Sequence, residues 1–93
     1  MNAPSLVGPV LDNSALAGAM AAAIRSRYGD AQVLDRGSYR RVLVPGRCEL
    51  TRESVEREAG SPVQLRAALE RVMMSFQGRF TVTDDAAVWE APG

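Results

Sequence analysis

The forty residues from Arg41 to Phe80 read R-V-L-V-P-G-R-C-E-L-T-R-E-S-V-E-R-E-A-G-S-P-V-Q-L-R-A-A-L-E-R-V-M-M-S-F-Q-G-R-F. Val42 and Val44 alternate with Arg41 and Leu43, the period of a strand that began at Tyr39. Pro45-Gly46 makes a tight turn, and Arg47 to Leu50 a further short strand. Thr51 can cap a helix through Ala59, with Glu53 placed to favour the positive end of the helix dipole and Gly60 to stop it. Ser61-Pro62-Val63-Gln64 predicts a second start: Ser61 as cap, Pro62 at the first helical position, Gln64 completing a capping box. Leu65, Ala68, Leu69, Val72 and Met73 then recur at the spacing of one buried helix face, and Gly78 breaks the helix.

Ahead of Arg41, Arg36-Gly37-Ser38 separates Gln32–Asp35 from the strand at Tyr39, so these two runs predict a hairpin. Upstream, Asp12-Asn13-Ser14 offers cap residues for a helix from Ala15 to Tyr28, with Gly29 as its stop. That helix is small-sided and can lie close to a sheet or to another protein. Leu6 to Leu11 is apolar but interrupted by Gly8-Pro9; proline lacks an N–H, which predicts an edge strand or an extended arm. Residues 1–5 are polar and are expected to be disordered. Downstream, Phe80 to Thr83 alternates, Asp84-Asp85 turns, and Ala87-Val88-Trp89 returns. The expected order is β-α-β-β-β-α-α-β-β, an α+β fold in a single domain over residues 1–93.

Composition excludes more than it suggests. Eleven basic residues, all arginine, balance eleven acidic ones, which argues against a dedicated nucleic-acid binder. The chain has no histidine and one cysteine, Cys48, so no intrachain disulfide can form. The lone cysteine makes a reducing cytoplasm the expected location; no signal-peptide pattern opens the sequence and no run approaches a membrane span. Without histidine there is no base for a serine or cysteine nucleophile. Glu53, Glu56, Glu58 and Glu70 are scattered along helix faces, and Asp84-Asp85 reads as a polar turn before it reads as a cation site. No catalytic, metal-binding or cofactor-binding residue is assigned. Arg36, Arg40 and Arg41 cluster near a turn, as a solvated strand edge or a surface for acidic groups. Met73 is expected in the core; Met74, one residue around, suits an adaptable contact surface.

Several pieces together resemble the coupling, or effector, proteins of soluble bacterial diiron monooxygenases. These include component B of methane monooxygenase and the small effectors of phenol, toluene and alkene monooxygenases. The pieces are Val7-Gly8-Pro9-Val10, Tyr39-Arg40-Arg41-Val42, Pro45-Gly46-Arg47, Leu50 to Glu56, Gly60-Ser61-Pro62 and Ser75 to Phe80. Their order and spacing carry the resemblance over roughly residues 6–90, and the Val-Gly-Pro-Val run looks more like the toluene and alkene branch. The resemblance implies a regulatory component rather than an enzyme, with no prosthetic group. It implies docking on a diiron hydroxylase, tuning of oxygen activation, substrate access and electron coupling, and cooperation with a Rieske ferredoxin and a flavin reductase. The expected contact residues are Val7, Gly8 and Pro9 of the arm, the first helix, and Gly37, Ser38, Tyr39 and Arg40 of the turn. An adaptor or assembly subunit unrelated to oxygenases is the alternative.

Overall fold

The computed structural model describes residues 5–92, so the expected disorder of residues 1–5 falls, apart from Ser5, outside the described residues. The elements are β1 (Leu6–Asp12), α1 (Ala15–Arg27), β2 (Gln32–Asp35), β3 (Tyr39–Pro45), β4 (Arg47–Thr51), α2 (Arg52–Ala59), α3 (Leu65–Val72), β5 (Met73–Gln77), β6 (Arg79–Val82) and β7 (Ala86–Glu90). They form two antiparallel sheets, β2-β3-β1-β5 and β4-β7-β6, with three helices, an α+β fold. The chain passes from one sheet to the other at Gly46, whose N–H donates to the Ser5 carbonyl and whose carbonyl accepts from the Ala91 N–H. That turn therefore ties Ser5, just ahead of β1, and Ala91, just past β7, to the junction. Val7, Leu11, Met20, Ile24, Val42, Leu50, Leu65, Leu69 and Trp89 belong to one continuous apolar core.

Local signals account for most elements. The Ser14 hydroxyl accepts from the Ala17 N–H at 3.2 Å and starts α1. Thr51 Oγ1 accepts from the Ser54 N–H at 3.2 Å and starts α2, which Gly60 closes in a left-handed turn. The apolar stripe of α3 is buried at Leu65, Ala68, Leu69 and Val72, as its spacing predicts. Gly29 is not the stop of α1: the helix ends at Arg27, and Tyr28 turns extended. The Tyr28 hydroxyl accepts from the Glu49 N–H at 2.9 Å, which pulls this residue toward β4 and out of the helix.

Three expectations are corrected. First, Val7-Gly8-Pro9 is neither an edge strand nor an arm. β1 lies inside its sheet, between β3 and β5, and Val7, Gly8 and Pro9 are buried. The missing N–H of Pro9 is tolerated because the β1–β3 ladder skips it: Val7 pairs with Val44, and pairing resumes at Val10 with Arg41. Second, α3 does not run to Gly78. Its last turn closes when the Met73 N–H donates to the Leu69 carbonyl, and Met73–Gln77 continues as β5 against β1. A helix of eight residues gains little from another turn, whereas β1 has backbone groups on its second side to satisfy.

Third, Ser61 does not cap α3. The helix starts after Gln64, which makes no side-chain cap bond, and Ser61 is exposed. The connection is held from α2 instead: Glu56 Oε2 accepts from the Val63 N–H at 2.9 Å. Replacing Ser61 by alanine is therefore expected to leave stability within about 0.5 kcal/mol. Glu56→Ala should cost about 1 kcal/mol, because it orphans that N–H. Urea midpoints of the two variants distinguish the arrangements, and the reverse ranking would restore Ser61 as the cap.

Candidate functional site

The structure joins part of the expected contact surface and encloses the rest. The β2–β3 hairpin closes through the Arg36 N–H to the Tyr39 carbonyl at 2.9 Å, leaving Gly37 and Ser38 exposed at its tip. Asp35 Oδ1 accepts from the Gly37 N–H at 2.9 Å, and the Gly37 carbonyl accepts from Asn13 Nδ2 at 3.0 Å. Tyr39 sits opposite Asp12 in the β1–β3 ladder. The tip is thus clasped to the corner where β1 turns into α1, and the turn and the start of the first helix form one surface. Val7, Gly8 and Pro9 are buried toward the other end of β1, where Val7 pairs with Val44, and present no free side chain to that surface.

Arginine side chains that are neighbours in sequence part company on the strand. Arg40 Nη1 donates to the Ser14 carbonyl at 3.2 Å and the Asp12 carbonyl at 3.4 Å, bracing the corner. Gly18 lies alongside this guanidinium; a Cβ at that position would sit 3.6 Å from Arg40 Nη1, an ordinary contact. Arg41 reaches the other way, its Nη1 donating to Gln77 Oε1 at 3.3 Å. The basic cluster seen in sequence is therefore two separate features, as alternation along a strand requires. Asp12 completes the corner. Hydrogen bonds from Ser14, including its N–H at 2.9 Å, hold the carboxyl below its usual range, helped by the Arg40 and Arg71 guanidiniums.

Nothing in these groups adds up to a reaction centre. Among the described residues no group of three His, Cys, Asp or Glu side chains converges. Cys48 is fully buried opposite Trp89, and burial pushes its thiol up to about 12, so it stays neutral and out of reach of reagents. Among the described residues no helix is long and apolar enough to cross a membrane.

One surface feature is only half legible in sequence. Met74 is 62% and Phe76 44% exposed on β5, an outer strand of its sheet. Met74 departs from the helical stripe and is a contact candidate on that ground. Phe76 is not, because the helical reading runs through it; the alternation of Met74, Ser75, Phe76 and Gln77 ahead of Gly78 is the signal that points to a strand.

Residues 5–90 match the model of the MmoB/DmpM family. The chain is 39% identical over 87 residues to the alkene monooxygenase system effector subunit of Xanthobacter autotrophicus, covering 91% of this chain and 85% of that one. Among solved structures, a chain of the phenol hydroxylase–regulatory protein complex superposes with a TM-score of 0.82 at 21% identity, covering 94% of this chain and 99% of that chain. A second structure of such a complex gives 0.77 at 20% identity, over 91% and 98%. At these identities the two structures speak to the fold.

Proposed function

The chain belongs to the MmoB/DmpM family, and we propose that it is the effector subunit of a soluble hydrocarbon monooxygenase. In this reading it is a regulatory protein without catalytic groups of its own. It binds a diiron hydroxylase component in the cytoplasm and tunes oxygen activation, substrate access and the coupling of electron use to hydroxylation. A Rieske ferredoxin and a flavin reductase supply the electrons. The observation that carries the reading is the likeness to the Xanthobacter effector subunit along nearly the whole chain.

The physics of such a regulator asks for shape and little chemistry. A protein shifts its partner between two states only as far as it binds one better than the other. A difference of about 1.4 kcal/mol moves that equilibrium about tenfold. The surface at Gly37, Ser38 and Tyr39 beside the start of α1 is one proposed contact, since its backbone is exposed yet held by Asn13 and Asp35. Arg40, engaged with two carbonyls, positions that surface.

Reconstitution tests the reading. Hydroxylase, ferredoxin and reductase from the same operon are combined, and product formed per reducing equivalent is followed as this chain is added. A saturable rise is expected. An unchanged rate and unchanged coupling at excess chain would overturn the proposal.

A further inference from the structure

The outer strand β5 carries features that the packing of this chain does not use. Its register on β1 slips by one residue: Val10 faces Ser75, but Leu11 faces Met73, so Met74 is the unmatched residue of a bulge and is turned outward. Phe76 leans on Phe80 with ring centroids 5.3 Å apart, and Phe80 stacks on the buried Trp89 at 5.2 Å. The exposed ring is thus backed by aromatic groups that reach the core. Beside it, Leu69, Met73, Phe80 and Val82 line a cleft of about 190 Å³ between α3 and β6, with Arg66 and Glu70 at its rim. For scale, a cavity of about 150 Å³ can take a benzene ring.

Arginines bracket the strip, with Glu70 at the cleft rim and Glu90 opposite Arg79 in the β6–β7 ladder as the nearby acidic residues. Arg71 precedes β5, Arg79 follows it, and the Arg41 guanidinium lies against Gln77 at its end. Among the described residues none of these three has a carboxylate within ion-pair distance, and neither do Arg25, Arg36 and Arg40 elsewhere on the chain, whereas Arg27, Arg52, Arg57 and Arg66 each have one and Arg47 has two. An exposed apolar strand bracketed by guanidiniums that close no ion pair within the chain suits a partner that brings carboxylates to it.

We propose that β5 is a docking strip for the hydroxylase component. Met74 and Phe76 enter an apolar groove of that partner, Arg41, Arg71 and Arg79 meet carboxylates on its rim, and the cleft beside Phe80 receives one of its apolar side chains. This inference rests on the effector reading above. A second copy of the chain is the poorer occupant. Antiparallel self-pairing centred on Ser75 would match Met74 with Phe76, but it would also bring Arg71 of one copy toward Arg79 of the other, a like-charge approach. The strip also continues toward the Gly37–Tyr39 turn. Met73 and Tyr39 flank the same end of β1, opposite Leu11 and Asp12 respectively.

The test is calorimetric titration of the purified hydroxylase with wild-type chain and variants at two salt concentrations. Met74→Ser with Phe76→Ser should weaken binding at least about tenfold. Arg71→Glu with Arg79→Glu should weaken it comparably at low salt and less at high salt. Gln32→Ala, exposed on the far edge strand β2, should bind as wild type. Circular dichroism checks the fold. If Phe76→Ser unfolds, Met74→Ser and the arginine pair, all on exposed side chains, still decide. Wild-type affinity in those variants overturns the strip and leaves the effector reading standing. A wild-type chain that does not bind hydroxylase overturns both. A dimer in sedimentation that Met74→Ser splits also overturns the strip, by giving the edge to a second copy.

Discussion

Gly8→Ala is expected to abolish the cooperative unfolding transition, or to lower stability by at least about 3 kcal/mol. Gly8 has φ +147°, a conformation that side chains rarely adopt, and this alone costs about 1–3 kcal/mol for a residue with a Cβ. A Cβ there would also overlap the Val42 carbonyl oxygen. That oxygen cannot easily retreat. Val42 is fully buried in β3, with β2 paired along the other side at Val33. Relief would require β1 and β3 to separate at the centre of the sheet, where Val7, Leu11 and Val44 are packed. Gly29→Ala is the matched control. Nothing lies within 4 Å of a Cβ at that position, and its φ is not positive, so the variant should melt within a few degrees of wild type. Thermal denaturation followed by far-ultraviolet circular dichroism reads both. A Gly8→Ala protein that melts like wild type would mean that β1 does not approach β3 this closely, and would bring back the free arm.

Which parts of this fold the sequence discloses follows from how far apart the deciding residues lie. The hairpin of β2 and β3, the Thr51 and Gly60 boundaries of α2, the buried stripe of α3 and the Asp84-Asp85 turn are all fixed by neighbours within one turn or one strand, and all can be read from the chain. β1 and β5 cannot, because each is decided by the other. Pro9 argues locally for an edge, and only a partner more than sixty residues away, taking up the second side of β1, makes it interior. Met73 to Gln77 continues the helical spacing well enough to pass for helix until that edge is available. Ser61-Pro62 misleads for a similar reason: the local capping pattern is sound, but Glu56, one helix earlier, already holds the Val63 N–H. The candidate surface divides the same way. The Gly37–Ser38 tip is local and legible; burial of Val7, Gly8 and Pro9 and exposure of Phe76 both depend on the β1–β5 pairing.

Trp89→Ala should cost about 3–5 kcal/mol, whereas Trp89→Phe should cost less than about 1.5 kcal/mol. Trp89 is the only tryptophan and has no exposed surface. It occupies the middle strand of its sheet, with Cys48 opposite on β4 and Phe80 opposite on β6, its ring tilted 27° to that of Phe80. Truncation to alanine removes the largest buried side chain and the stacking that supports Phe80. Phenylalanine keeps the stacking and gives up only part of the volume. It also removes a liability: among the described residues, Trp89 Nε1 is the one buried side-chain polar atom without a hydrogen-bond partner. An unpaired buried N–H costs about 1–3 kcal/mol, so its removal offsets much of the lost packing. Urea denaturation followed by circular dichroism measures the pair, since the fluorophore itself is replaced. If Trp89→Phe proves as costly as Trp89→Ala, the indole N–H has a partner, a buried water being the simplest, and the offset vanishes. The same pair separates packing from docking. Trp89→Phe preserves the support beneath Phe80 and Phe76 and should keep wild-type affinity for the hydroxylase. Trp89→Ala should lose affinity together with stability.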